Sequence, residues 1–223
     1  MKVIIFGATG MVGRATLREC LNANDVTEVL AIGRSKLEVE HPKLDSLILD
    51  DMFNYEGLTN RLSQFDACLF CLGTSIGSST EEEYLNLNQT LPLTVAKAMS
   101  EANPDMSFVY ISGKGTDSSE TGKVAWARIK GKTENDLLKM PFKAVYLLRP
   151  ALIIPMNGEE SQETTYRLLY RYTGWLMRLM SGVFPSMITD TEKVGTTILN
   201  LLRRGESSVV VENQDINLIV KYQ

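Results

Sequence analysis

The stretch that decides the fold is KVIIFGATGMVGRATL, residues 2–17. Its three glycines, Gly7, Gly10 and Gly13, directly follow an apolar run of strand type and open a segment with helical periodicity. Such glycines permit a tight turn, close approach of the backbone to a pyrophosphate, and close packing of helix on strand, while the helix N-terminus offers N–H donors. The spacing is GxxGxxG rather than GxGxxG. The stretch therefore predicts a dinucleotide site; the alternative is a tight turn with a purely structural role.

Apolar runs alternate with helix-period segments through the first 150 residues. Six runs are predicted to be strands: Lys2–Phe6, Glu28–Ile32, Leu44–Leu49, Ala67–Leu72, Ser107–Ser112 and Lys143–Leu148. Four segments are predicted to be helices: Met11–Ala23, Asn54–Gln64, Thr80–Ala102 and Lys123–Lys139. Several strands are apolar on both faces, which is typical of a parallel sheet covered by helices on each side. The expected fold is α/β, a doubly wound parallel sheet of the Rossmann type.

The pattern changes after Pro150. Loop-like sequence is followed by a helical segment at 164–184, a helix near Thr191–Arg203, a short strand at 207–212 and a terminal apolar stretch. No linker divides the chain, so residues 1–223 are expected to form one domain, with a cofactor-binding core at 1–150 and a small C-terminal cap at 151–223. Within the cap, Tyr166–Met180 fits a packed cap helix, a subunit interface or a substrate wall. Attachment of this segment to a membrane surface is disfavoured by Gly174 and by the negative net charge.

Bulk properties exclude several classes of function. A net charge of -4 argues against nucleic acid as a partner, and no apolar stretch approaches the roughly 18 residues of a membrane span. Three cysteines make no disulfide framework, so a reducing cytoplasm is expected. Cys68 and Cys71 would point to opposite faces of a strand, and His41 is the only histidine, so no metal site is predicted. The expected partner is a small-molecule substrate, and a homo-oligomer stays open.

The end of the second strand indicates which dinucleotide is bound. A carboxylate there would bind the adenosine ribose hydroxyls, but the sequence reads AIGRSK, with Arg34, Ser35 and Lys36. Guanidinium, hydroxyl and ammonium groups suit a 2′-phosphate, and Arg14 is expected near the same corner. The cofactor is therefore predicted to be NADP(H) in preference to NAD(H); the alternative is a solvated basic turn.

Five motifs in order carry a resemblance to a known family: GATGMVG, GRS, LDD, CLGTS and YISGKGTDSS followed by WARIKGKTE. Together they resemble the short-chain dehydrogenase/reductase superfamily, and in particular its atypical, epimerase/dehydratase-like members related to the Tat-interacting-protein group and its bacterial relatives. The resemblance covers residues 1–150 best. It implies that Asp51 meets the adenine amino group, that Gly73 and Thr74 line a ribose, and that Pro150 passes near the nicotinamide. Together with the glycine turn and the basic residues after the second strand, the full set of predicted cofactor-binding residues is Gly7, Thr9, Gly10, Met11, Val12, Gly13, Arg14, Arg34, Ser35, Asp50, Asp51, Leu72, Gly73, Thr74, Lys130 and Pro150.

The resemblance also implies a catalytic set, Ser112, Trp126 and Lys130, with one departure from the family pattern. In that pattern a serine orients the substrate carbonyl, a tyrosine donates the proton, and a lysine four residues later lowers the pKa of the phenol and holds the nicotinamide ribose. Here Trp126 occupies the tyrosine position. An indole N–H can donate a hydrogen bond but cannot release a proton near neutral pH.

Three interpretations of this departure stay open. The protein could be an oxidoreductase acting on a small carbonyl or alcohol, with another proton donor, the candidates being Lys130, Lys114, a water, Tyr110, Tyr84 and Tyr166. It could instead bind NADP(H) without turnover, as a redox sensor or partner-binding module. In the third interpretation Trp126 is only a packing residue and the true acid lies elsewhere in the sequence.

Overall fold

A computed structural model describes residues 1–74, 80–159, 185–205 and 209–220. Nine strands are described: β1 Lys2–Phe6, β2 Glu28–Gly33, β3 Leu44–Ile48, β4 Ala67–Phe70, β5 Ser107–Ile111, β6 Ala144–Arg149, β7 Leu152–Ile154, β8 Ile188–Asp190 and β9 Val209–Glu212. The helices in the same ranges are α1 Met11–Asn22, α2 Thr59–Leu62, α3 Glu81–Leu85, a π-helical turn Asn86–Thr90, α4 Leu91–Ala102, α5 Ala125–Leu137, α6 Thr191–Arg204 and α7 Asn213–Ile219. The segment Tyr166–Met180 lies outside the described residues.

Seven strands form one parallel sheet in the order β3-β2-β1-β4-β5-β6-β9. Side chains alternate between two buried layers: Ile5 and Leu69 lie in one, and Ile4 and Cys68 in the other. The parallel strands and the two layers confirm the predicted doubly wound α/β fold. Cys71 packs against the layer opposite to that of Cys68, so the two thiols do face opposite ways.

Two predicted helices differ from the structure. Asn54–Gln64 was expected to be helical, but only Thr59–Leu62 is. The side chain of Asn54 accepts a hydrogen bond from the amide of Glu56 at 2.9 Å, and Gly57 has a φ of +76°, so local turns replace the first helical turns.

The predicted helix Thr80–Ala102 is divided by the π-helical turn Asn86–Thr90. Its start is as expected, because Thr80 and Glu83 form a capping box. Pro92 has no N–H to donate to the carbonyl of Asn88, four residues earlier. That carbonyl instead accepts hydrogen bonds from the hydroxyls of Tyr110 and Thr133, each at 2.9 Å. The irregular turn therefore ties this helix to β5 and α5.

The described part of the C-terminal region belongs to the sheet and its covering layer. Strand β9 pairs in parallel with β6 as the seventh strand. Helix α6 packs against α1 so closely that a Cβ on Gly195 would lie 3.3 Å from the carbonyl oxygen of Ala15. The sheet thus continues beyond residue 150, and the division into a core and a C-terminal cap stays a prediction. Strands β7 and β8, which were not predicted, form a separate parallel pair.

Candidate functional site

The glycine turn between β1 and α1 has the geometry that the sequence predicts. Gly7 has a φ of +79°, and a Cβ there would lie 2.8 Å from the backbone of Cys71 and Leu72 at the end of β4. A Cβ on Gly13 would overlap the carbonyl oxygen of Gly7. The amide of Gly10 donates to that same oxygen at 2.9 Å, which closes the turn. Gly7 and Gly13 are therefore glycines for steric reasons.

The first turn of α1 faces this loop without a competing cap. Gly10 stands at the N-cap and offers no side chain, and the first turn contains no acidic residue. The N–H groups of Met11, Val12 and Gly13 precede the first intrahelical bond, in which Arg14 donates to Gly10 at 2.8 Å. These free donors and the helix dipole create a site suited to an anion.

A cavity of about 320 Å³ opens beside the turn, at the carboxyl ends of the strands. Several residues that the resemblance implies meet in its wall: Gly7, Thr9, Arg34, Ser35, Asp50, Asp51 and Leu72. Gly73 and Thr74 follow Leu72 directly in the chain. Asp51 keeps one carboxylate oxygen engaged, because its Oδ1 accepts from the amide of Phe53 at 2.9 Å.

A second cavity, of about 520 Å³, adjoins the first through Ala8, Thr9 and Leu37. Arg14 and Lys36 lie in its wall. Arg14, Arg34 and Lys36 are all exposed, and none of the three forms an ion pair with a carboxylate in the part of the chain that the structure describes. Basic side chains therefore lie on both sides of the shared wall, Arg34 in the first cavity and Arg14 and Lys36 in the second.

The loop after β5 carries the tryptophan. Gly115 has a φ of +91°, and a Cβ there would lie 3.4 Å from Cη2 of the half-buried Trp126. Lys114 donates through Nζ to the carbonyl oxygen of Ser186 at 2.7 Å, and its amide donates to the carbonyl of Pro150 at 2.8 Å. Trp126 thus packs on a loop that is tied to the end of β6 and to the 185–187 turn.

Lys130 lies one helical turn after Trp126, buried under the end of β5. Its Nζ donates to the backbone carbonyl oxygen of Ser112 at 2.6 Å and lies 5.9 Å from the centroid of the Tyr110 ring. Helix α5 comes this close because residue 131 is glycine: a Cβ there would overlap the carbonyl oxygen of Asp117. Burial lowers the pKa of Lys130 to about 8, while the nearby Glu134 carboxylate acts in the opposite direction.

The hydroxyl of Ser112 points into a buried network. It is within donor distance of Glu134 Oε1, at 2.5 Å, and of the Leu148 carbonyl, at 3.1 Å. Glu134 in turn accepts from the guanidinium of Arg149, whose Nε lies 3.1 and 3.2 Å from its two oxygens. That Ser112 orients a substrate carbonyl stays a prediction. The structure does not favour it, because the hydroxyl already lies within hydrogen-bond distance of two acceptors inside the protein.

The buried pair of Glu134 and Arg149 was not predicted from the sequence. One signal was present, since Glu134 follows Lys130 by four residues and so shares its helix face. The partner on β6 is 15 residues further along the chain and is recognisable only in the folded structure.

The tyrosines are poor substitutes for the missing phenol. Tyr110 is buried and donates to the Asn88 carbonyl at 2.9 Å, and burial raises its pKa well above the ordinary value. Burial also raises the pKa of Tyr84 to about 12. Tyr166 lies outside the described residues. Compared with Tyr84 and Tyr110, whose pKa values burial raises, Lys130 has a pKa that burial lowers to about 8, closer to neutral pH.

Two further features are absent from residues 1–74, 80–159, 185–205 and 209–220, namely a metal-binding cluster and a membrane-spanning helix. Across these ranges no group of three His, Cys, Asp or Glu side chains is placed to hold a metal ion. None of the helices in them combines the length and apolar character needed to cross a membrane.

Comparisons with known proteins agree with this architecture. Residues 3–142 match the NAD dependent epimerase/dehydratase family. Protein FMP52, mitochondrial, of Meyerozyma guilliermondii is 24% identical over 99% of this chain and 96% of its own length. Protein HTATIP2 of Rattus norvegicus is 25% identical over 82% of this chain and 71% of its own length. The Bordetella bronchiseptica enzyme WbmH, solved in complex with NAD+, superposes with a TM-score of 0.66 at 14% identity, covering 95% of this chain and 75% of that one.

One expectation from the sequence is wrong. A cytoplasmic location was expected from the free cysteines, but several relatives, including the Meyerozyma and Aspergillus niger proteins, are named mitochondrial. Cys20, Cys68 and Cys71 are indeed free thiols. Free thiols indicate a reducing environment and do not distinguish one reducing compartment from another.

The resemblance to atypical, NAD(P)-binding short-chain dehydrogenase/reductases is thus confirmed. The chain belongs to the NAD dependent epimerase/dehydratase family.

Proposed function

We propose that this protein is an NADP(H)-binding oxidoreductase that acts on a small carbonyl or alcohol substrate. The observation that carries the proposal is the position of Arg34, which lines the cavity beside the glycine turn without a carboxylate partner among the described residues. The three residues directly after β2, Arg34, Ser35 and Lys36, include no carboxylate that could bind the ribose hydroxyls. A guanidinium in that place suits a 2′-phosphate.

Other residues of the candidate site, not all of them in the cavity walls, fit the other parts of the cofactor. The free N–H groups at the start of α1 suit the pyrophosphate, and Arg14 and Lys36 add positive charge near Arg34. The free oxygen of Asp51 would accept from the adenine amino group. Lys130 and the backbone at Leu72–Thr74 would contact the nicotinamide half. When bound, the cofactor supplies the hydride of the reaction.

A carbonyl that receives a hydride develops negative charge on oxygen, so a neighbouring acid must supply a proton. Trp126 can only donate a hydrogen bond. Lys130 is a primary amine whose pKa burial lowers to about 8, so it exchanges a proton close to neutral pH. We therefore assign the proton source of the site to Lys130.

A second candidate function is NADP(H) binding without turnover, as a sensor or partner-binding module. One observation favours it. The hydroxyl of Ser112 is already hydrogen-bonded to Glu134, and the residue at the tyrosine position, Trp126, has no phenol. In this case the cavity serves recognition, and the ends of β5 and α5 serve packing.

Loss of NADPH absorbance in the presence of a panel of aldehydes and ketones separates the two functions. An oxidoreductase consumes NADPH with at least one compound, and Lys130→Met abolishes that consumption. The matched control is Lys132→Met, which removes an exposed lysine from the same helix and should leave the rate unchanged. Tight NADPH binding with no consumption across the panel would favour the binding module.

A further inference from the structure

Glu134 joins three elements of the fold through one buried carboxylate. Its side chain is 1% exposed on α5. It accepts from the Ser112 hydroxyl at the end of β5 and from the Arg149 guanidinium at the end of β6. Arg149 continues the network to Ser118 Oγ, at 2.5 Å, and to Glu212 Oε1 on β9, at 3.2 Å. The carboxylate is therefore held on two sides.

Lys130 depends on the same serine. Its ammonium group donates to the backbone oxygen of Ser112, while the hydroxyl of Ser112 lies 2.5 Å from Glu134. Glu134 is one turn beyond Lys130 on the same helix. Glu134 and Lys130 are therefore linked through Ser112, the carboxylate at its hydroxyl and the ammonium group at its backbone oxygen.

The charges around Lys130 are unevenly distributed. The carboxylate of Glu134 on α5 raises the pKa of Lys130 against the effect of burial, and the same carboxylate forms an ion pair with Arg149 on β6. Tyr110 faces it from β5 as a neutral, buried phenol. Glu212 on β9 is more exposed and pairs with the far side of Arg149. A buried ammonium is costly without a counter-charge, so its protonation should depend on Glu134.

We propose that Glu134 is a positioning residue for Lys130: its carboxylate fixes the place of the ammonium group and keeps it protonated at neutral pH. Glu134 is not among the residues that line the cofactor cavity. Its effect on cofactor affinity is therefore indirect. This inference rests on the proposed function only where it links Lys130 to NADP(H).

Glu134 and Arg149 form the ion pair, and replacing one or the other should shift the pKa of Lys130 in opposite directions. Glu134→Gln removes the anion and lowers the pKa of Lys130. Arg149→Met removes a competing cation, leaves Glu134 to Lys130 alone, and raises that pKa. Each shift should be about one pH unit. General loss of stability cannot produce shifts of opposite sign.

The first measurement is the free energy of unfolding as a function of pH, in the absence of cofactor. It is made for wild type, Glu134→Gln and Arg149→Met, and for each of these three with Lys130→Met added. The folded pKa of Lys130 is lowered from 10.5 to about 8. The unfolded chain therefore binds more protons between these values, and stability relative to Lys130→Met rises over that range. The rise should begin at lower pH in Glu134→Gln and at higher pH in Arg149→Met. Asp136→Asn, an acidic residue on the same helix that pairs with Lys132 and Lys139, is the control and should behave as wild type.

The second measurement is the dissociation constant of NADPH over the same pH range. The affinity of the wild-type protein for NADPH should fall several-fold as pH rises through about 8. The midpoint of this fall should lie at lower pH in Glu134→Gln and at higher pH in Arg149→Met. An unchanged midpoint in both Glu134→Gln and Arg149→Met, in the free protein, would overturn the inference. If the midpoints move in the free protein but NADPH does not bind at any pH, the proposed function fails and the role of Glu134 stands.

Discussion

Gly13 lies so close to Gly7 that a Cβ on Gly13 would overlap the Gly7 carbonyl oxygen. The amide of Gly10 donates to that same oxygen at 2.9 Å. This contact seats the start of α1 against the turn after β1, and it leaves three helix N–H groups facing the loop. The position of the anion site is therefore set by backbone packing.

Gly13→Ala should damage both folding and cofactor binding, because the backbone of the turn has no room to yield. We expect a loss of about 3 kcal/mol in the free energy of unfolding and loss of NADPH binding. Gly10→Ala is the matched control, since its Cβ would lie 3.4 Å from Gly7 O and should lower stability by only about 1 kcal/mol. Urea unfolding and NADPH titration measure both quantities. Equal effects of the two substitutions would contradict the packing explanation.

Arg34→Ala should weaken NADPH binding far more than NADH binding. Hydrogen bonds to a charged group contribute about 1.5–3 kcal/mol, which is roughly a 10- to 100-fold change in dissociation constant. The loss should diminish as salt is added, because Arg34 is exposed. Lys97→Ala, an exposed lysine on α4, serves as the control for net charge. If Arg34→Ala weakens the binding of NADPH and of NADH equally, Arg34 does not bind the 2′-phosphate.

Trp126→Tyr should raise carbonyl reduction, because it places a phenol one turn before Lys130. General acid catalysis contributes about 10²-fold or more, and we expect an increase of about that size in the rate of NADPH consumption. Trp126→Phe supplies a ring without an acidic proton. A rate in Trp126→Tyr no higher than in Trp126→Phe would show that the site does not accept a phenolic acid.

Ile198→Ala tests whether α6 belongs to the same cooperative unit as the sheet. Ile198 is fully buried, so the cavity left behind should lower the free energy of unfolding by about 2–5 kcal/mol. The exposed Leu218, which is 48% accessible, provides the control Leu218→Ala, with a loss below about 1 kcal/mol. A single shifted transition supports one unit. A separate, early transition in Ile198→Ala would instead support an independent C-terminal part.

The sequence was sufficient for those features that depend on local pattern. The strands, the glycine turn and the capping box at Thr80 all follow from neighbours within a few residues. Features that depend on distant partners were missed. The carbonyl of Asn88 is freed by Pro92 but is stabilised by Tyr110 and Thr133, and the contact of α6 with α1 depends on Gly195 meeting a helix 180 residues earlier.

The same division holds within the candidate site. Arg34, Ser35 and Asp51 were recognised from sequence, and they do line one cavity. The side chain of Ser112 was expected in the cleft and instead contacts Glu134. Glu134 is held there by its buried ion pair with Arg149, a residue on another strand, which no local sequence pattern reveals.

The proposed function requires that the cavity beside the glycine turn binds NADP(H) through Arg34, the cation that follows β2. Calorimetric titration of the wild-type protein with NADPH and with NADH at one pH and one salt concentration tests it most directly. We expect NADPH to bind at least about tenfold more tightly than NADH. Equal affinities, or tighter binding of NADH, would contradict it.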